Sequence, residues 1–278
     1  MKKIYDDLAF KISKQTTNDY STSFSLGIRF LAKEIRNSIY GIYGFVRIAD
    51  EIVDSFHGYK QKEMLEDLKV ETFKAIENKI STNPLLHSFQ EVVNKYEVPH
   101  ELIHQFLHSM EMDLEPQSYS QEKYEEYILG SAEVVGLMCL KVFVYGDKDK
   151  YRELKPFAMK LGSAFQKINF LRDLKDDYSI LGRSYFPQID MNNFNQDTKK
   201  EIEADIELDF SIGYEGITRL PYTTRFGVYI AYIYYSGLLK KIKKLDANVI
   251  LNKRVRIPNS KKYGLFFKGY IRHSFNIL

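Results

Sequence analysis

Two pairs of aspartates, Asp50 with Asp54 and Asp173 with Asp177, each stand four residues apart, a spacing that puts both carboxylates of a pair on one side of a helix. In residues 161–187, Gly162, Gln166, Asn169, Asp173 and Asp177 fall within roughly 60° of one another on a helix, with Lys160 and Lys167 nearly opposite. The lysines are expected on the wet side, so the acidic stripe faces inward. An ionised carboxylate is costly there unless a positive group, from an ion pair or a metal, meets it. Glu63 and Asp67 repeat the spacing on what reads as a surface helix, so spacing alone carries little. A second inward stripe carries more: in residues 38–56, Tyr43, Arg47, Asp50 and Asp54 share one side while Ile42, Phe45, Val46, Ile48, Ala49, Ile52 and Val53 cover most of the rest. Apart from Glu51, every charge in that stretch lies on the stripe, which therefore lines an internal cavity. Four facing carboxylates would raise each other's pKa values unless cations bridged them. Mg²⁺, or Mn²⁺ in its place, takes oxygen ligands and shares its site with phosphates, so the implied ligand is a diphosphate.

The elements that must position these groups all read as helices. Residues 4–18 show helical spacing until Thr16, Thr17, Asn18 and Asp19 interrupt it. Ser21, Thr22, Ser23 and Ser25 around Phe24 read as a polar connection with capping hydroxyls. Residues 61–79 form an amphipathic scaffold helix, Asn83 and Pro84 start another, and Pro99 starts the one that runs through Met110 and Asp113. On that helix His100, His104 and His108 form a stripe away from the apolar face, and no second Glu-x-x-His helix exists to make a di-iron site of it. Residues 121–144 read as one long helix in which Gly130, Ser131, Ala132 and Gly136 either permit close packing or leave room in a cavity wall; Glu133 among them has no evident role. Gly182 to Pro187 is expected to leave the helix and to bring Arg183 and Tyr185 beside the second acidic pair. Asp197 is expected to cap a helix that Pro221 ends, and residues 223–245 form a helix whose lysine-rich tail suits its C-terminal dipole.

The motifs DEIVD at 50–54 and DLKDD at 173–177 resemble those of the squalene and phytoene synthase family of head-to-head prenyl transferases. So do Ser21 to Phe24, Tyr43 and Arg47, MEMDL at 110–114, YILGSAEVVGLMCL at 127–140, Gln166, Asn169 and Arg172, and GRSYFP at 182–187. The matches spread from about Ser21 to Arg256 and look most like bacterial phytoene synthases. The resemblance implies an all-α, single-domain bundle of the isoprenoid synthase type around a central cavity. It implies metal ligands Asp50, Asp54, Asn169, Asp173 and Asp177, with Tyr43 and Arg47 joining the aspartates in catalysis. Substrate contacts would come from Ser21, Ser23, Phe24, Tyr127, Ala132, Val135, Gly136, Gln166, Asn169, Arg172, Tyr185, Arg254 and Arg256. The implied reaction joins two geranylgeranyl diphosphates through prephytoene diphosphate to phytoene, a step of carotenoid biosynthesis, without nicotinamide. Dehydrosqualene or squalene formation from farnesyl diphosphate, and a silent binding protein that keeps the fold, are the alternatives.

Composition agrees with one enzyme domain over residues 1–278. A chain with 44% hydrophobic residues and no Pro/Gly/Ser-rich linker can bury one large core. The 40 basic residues against 37 acidic ones give +3, which gives no reason to expect nucleic acid. Cys139 is the single cysteine, so no intrachain disulfide forms and a reducing cytoplasm is expected. Neither a secretory leader nor a membrane-spanning run is evident. The basic and aromatic end, with Lys261, Lys262, Tyr263, Phe266 and Phe267, suits peripheral contact with a membrane surface.

Overall fold

The structure, a computed structural model, describes residues 1–115, 119–179, 184–187 and 194–256, with the backbone alone for 176–179. Among the described residues every extended element is a helix. The first six are α1 (Lys2–Tyr20), α2 (Thr22–Arg29), α3 (Lys33–Asp54), α4 (Gln61–Asn78), α5 (Pro84–Tyr96) and α6 (His100–Met112). They are followed by α7 (Gln121–Ile128), a π-helical turn at Leu129–Glu133, α8 (Val134–Phe143), α9 (Lys148–Ser179), α10 (Gln196–Arg219), α11 (Tyr222–Ile242) and α12 (Ala247–Asn252).

Local chemistry moves several of the expected boundaries. Helix α1 runs straight through Thr16 to Asp19, because Thr16 and Thr17 donate their hydroxyls back to the carbonyls of Ile12 (3.0 Å) and Ser13 (2.8 Å) and so stay within the helix. The break comes at Ser21, which is extended and accepts a hydrogen bond from the Phe24 amide as N-cap of α2. Asn83 caps α5 ahead of Pro84 as expected. Asn195, not Asp197, caps α10: its side-chain oxygen accepts from the amides of Asp197 (2.9 Å) and Thr198 (3.1 Å). The expected helix over 121–144 is divided by the π turn, a widening that spacing alone does not reveal.

Helix α3 is buried around most of its circumference and packs on α1 and α5. Phe45 stacks on Phe89 of α5 at 4.0 Å, within a core that α3, α5, α6 and α8 share. A second core gathers α9, α10, α11 and α12 with the Tyr185–Phe186 segment. Between α9 and α10 lies a polar seam that corrects the reading of Lys167 as solvated. Its side chain is buried, with Nζ 2.7 Å from Asp209 and 2.5 Å from Asp205. Lys160 is half-exposed and lies 3.0 Å from the same Asp209.

The histidine stripe of α6 is exposed, and Phe73 of α4 stacks on His104 at 4.2 Å. A different histidine gathers acids: ligand atoms of Asp6, His87 and Glu91 lie within 4.8 Å of one another. There, however, Nδ1 of buried His87 accepts from the Ser81 amide (3.3 Å), which leaves Nε2–H to donate to Asp6 (2.8 Å), while Lys2 lies 2.9 Å and 3.0 Å from Asp6 and Glu91. Each ligand atom is already engaged, and the cluster clasps α1 to α5.

Candidate active site

At the seam between the two cores lies a cavity of about 630 Å³, walled mainly by helix faces. From α3 come Ile39, Ile42, Tyr43, Val46, Arg47, Asp50 and Asp54. From α9 come Leu154, Phe157, Leu161, Phe165, Asn169 and Asp173, at the three- and four-residue steps that a single helical face requires. The α7–α8 stretch adds Tyr127, Ser131, Ala132, Val135 and Gly136, while α2 adds Phe24, with Ser21 at its cap. Ala132 and Gly136 both line the cavity and pack closely. A Cβ on Gly162 would meet the Ala132 carbonyl oxygen at 2.8 Å, and one on Gly136 would meet that of Ala158 at 3.1 Å. Both readings of the small residues therefore hold.

The charged groups cluster at one end. Asp173 is ion-paired with Arg172 and lies 2.7 Å from Nε of Arg254, so two guanidiniums supply the positive charge that its inward position requires. Burial would lower the Arg172 pKa, but the Asp173 hydrogen bond and charge outweigh it and hold that pKa above its ordinary value. On α3, Arg47 pairs with Glu51, stands 3.8 Å from Asp50 and lies 4.3 Å over the ring of Tyr20. Burial above all pushes the Tyr43 phenol up to about 12, against the lowering influence of Arg47. Deeper in, Phe165 stacks on Tyr235 at 4.3 Å, and Phe24 lies 6.1 Å from Tyr43 and 6.0 Å from Tyr235, so four aromatic rings face the space below the charged end.

Of the residues anticipated from the sequence, Asp50, Asp54, Asp173, Tyr43, Arg47, Ser21, Phe24, Tyr127, Ala132, Val135, Gly136, Gln166, Asn169, Arg172, Tyr185 and Arg254 all border this cavity. Ser23 and Arg256 do not. Ser23 is on the first turn of α2, about 100° round it from the lining residue Phe24, and Arg256 is exposed, beyond the buried anchor Val255, with its carbonyl held by Lys241 of α11. Asp177 belongs to α9, but its side chain lies outside the described residues, as do Arg183 and residues 257–278.

Sequence reasoning missed Phe165 and Tyr235, although Phe165 shares the face of Asn169 four residues on. It also left Asp113 without a role. Buried Asp113 accepts hydrogen bonds from Tyr127 (2.6 Å) and Tyr185 (3.0 Å), tying α6, α7 and the segment after α9 together at the cavity wall. Glu133 faces Lys160, Asp209 and Lys167, and burial raises its carboxyl pKa.

Oxygen donors suit a hard cation. Asn169 Oδ1 is buried with no hydrogen-bond partner on the same helical face as Asp173, an arrangement that leaves a desolvated acceptor unpaired unless a ligand meets it. Asp50 and Asp54 on α3, and Asn169 and Asp173 on α9, thus line the cavity with the oxygen donors that divalent ions take. Arg47 Nε, also buried and unpaired, is a donor available to an anion.

The sequence model of squalene/phytoene synthases matches residues 17–261. The chain belongs to the squalene/phytoene synthase family. Members of the family are prenyl transferases that condense prenyl diphosphates head to head and ionise them with a divalent metal. Among curated relatives, the 4,4'-diapophytoene synthase of Staphylococcus haemolyticus is 25% identical over 92% of this chain and 94% of its own length. The 15-cis-phytoene synthase of Synechocystis is 27% identical over 91% of this chain and 82% of its own. A dehydrosqualene synthase crystal structure superposes with a TM-score of 0.83 at 21% identity, covering 96% of both chains, so the helical architecture is that of the family.

Proposed function

We propose that this squalene/phytoene synthase family member joins two geranylgeranyl diphosphates head to head, through prephytoene diphosphate, to phytoene, with Mg²⁺ and without nicotinamide. The observation that carries the reading is one cavity with carboxylates from two helices at one end and an aromatic, aliphatic interior beyond them. Asp50, Asp54, Asp173 and Asn169, together with Asp177, would hold Mg²⁺, which supplies Lewis-acid stabilisation of the departing diphosphate. Arg47, Arg172 and Arg254, which border the same cavity, would donate charge-assisted hydrogen bonds to its oxygens. Loss of diphosphate leaves an allylic cation, which the faces of Phe24, Tyr43, Phe165 and Tyr235 stabilise by roughly 0.5–2 kcal/mol per well-placed ring. The apolar walls keep out the water that would quench that cation to an alcohol.

A second reading, condensation of farnesyl diphosphate to dehydrosqualene, is favoured by the near full-length similarity to the diapophytoene synthase of Staphylococcus haemolyticus. Supplying each prenyl diphosphate with Mg²⁺, with and without a reductant, and identifying products by mass separates the two. Phytoene from geranylgeranyl diphosphate without reductant is the expected result. Dehydrosqualene from farnesyl diphosphate alone establishes the second reading, and squalene formed only with reductant overturns both.

A further inference from the structure

The α9 residues that border the cavity run from Asp173 at the charged end past Phe157 to Leu154, nineteen residues earlier and roughly 28 Å along the helix axis. At that deep end Leu154 and Leu220 are buried, but Phe157 is only partly so. The guanidinium carbon of Arg219 lies 4.8 Å from the Phe157 ring centroid. Arg219 itself is exposed and does not border the cavity. A ring capped by a guanidinium thus forms part of the wall near the deep end of the cavity. Beside that ring, α10 approaches as closely as it can at Gly216, which borders the cavity too: a Cβ there would stand 2.3 Å from Cβ of Phe157, a separation that forces one of them to move.

Burial of apolar surface always favours the longer tail, so a cavity discriminates against extra isoprene units only through a wall they run into. A close-packed interior makes such a wall stiff. We infer that Phe157 is the gauge of prenyl tail length and that Gly216 sets how far its ring withdraws from the cavity. The inference rests on the cavity being the site of the prenyl tails.

The experiment compares geranylgeranyl and farnesyl chains as unreactive thiolodiphosphates, bound with Mg²⁺ and followed by calorimetry, and as diphosphates in turnover. Phe157→Ala is expected to raise the geranylgeranyl-to-farnesyl affinity ratio at least about tenfold, and Gly216→Ala, whose methyl crowds the ring and narrows the cavity there, to lower it by a similar factor. Phe157→Leu, the gentler change should alanine unfold the chain, is expected to fall between wild type and Phe157→Ala. A ratio that stays at the wild-type value in Gly216→Ala and Phe157→Leu, with helical circular dichroism intact, overturns the gauge. Wild-type protein that binds both analogues but forms no product overturns the proposed reaction and leaves the gauge to stand or fall on the binding ratio. Wild-type protein that binds neither analogue overturns both.

Discussion

A carboxylate turned inward must be neutralised, and at Asp173 the neutralising groups among the described residues are two arginines, Arg172 beside it on α9 and Arg254 from beyond α12. This gives the site a property that is read at single residues. Asp173→Asn keeps the shape and removes the charge that a divalent ion needs, and Asp50→Asn does the same on α3. Loss of a group that merely supports a metal ligand costs about 10–100-fold, so loss of a proposed ligand should exceed about 100-fold in turnover, with the helical circular dichroism spectrum unchanged. Activity within threefold of wild type in either variant would remove that aspartate from the site. The two stripes were legible in the sequence because helical spacing fixes which residues share a face, whatever that face meets. What could not be read was the partner across space: nothing in the local sequence ties Arg254 to Asp173, 81 positions earlier, or Asp113 to the hydroxyls of Tyr127 and Tyr185.

Among the elements, α9 must be held firmly, because its face carries Asn169 and Asp173 to one end of the cavity and Phe157 towards the other. Its opposite side is anchored by the seam with α10, where Asp209 accepts from Ser163 (2.7 Å) and Lys167 (2.7 Å). The expectation of a wet lysine face failed here for a physical reason: α10 supplies Asp205 and Asp209 opposite the lysines, which a reading of α9 alone does not include. Burial would raise the Asp209 pKa, yet the hydrogen bonds from Lys167 and Ser163 outweigh it and hold it below its ordinary value. The native chain therefore binds fewer protons than the unfolded one just below the ordinary carboxylate range. The stabilisation is complete above the unfolded-state pKa and is lost as pH falls through the folded-state value. Asp209→Asn should cost about 3 kcal/mol at pH 7, the lower end for breaking a buried pair because Lys167 keeps Asp205. That corresponds to a fall of roughly 6–12 °C in Tm. Thermal melts over a pH series should show the gap to wild type closing on acidification; a gap that stays constant to the acid limit would show that Asp209 does not stabilise the fold through its charge.

Across the whole molecule, the cavity is the place where two hydrophobic cores fail to meet, and helices from both halves of the chain contribute its walls. That the segments are helices and that the acidic stripes line a cavity was readable from their periodicity, and the bundle around it from the family resemblance, but the depth of the cavity was not, since depth depends on how closely helices approach, as at Gly216 and Phe157. A space with acids at one end and hydrocarbon walls along the rest is completed only by a ligand that has both characters. Mg²⁺ by itself gains the carboxylates but none of the apolar surface, and a prenyl diphosphate by itself meets like charge at Asp50 and Asp54. The two together should therefore stabilise the fold by more than the sum of each alone. At a concentration of about 100 times Kd, an unreactive prenyl diphosphate analogue with Mg²⁺ is expected to add about 2.7 kcal/mol, seen as a rise of roughly 5–11 °C in Tm. Chelating the metal should abolish most of that rise, and Asp50→Asn should blunt it without lowering the melting temperature of the free protein. Equal shifts with and without Mg²⁺ would mean that the carboxylates and the prenyl diphosphate do not share one site, and the assignment of this cavity to metal-assisted prenyl transfer would be lost.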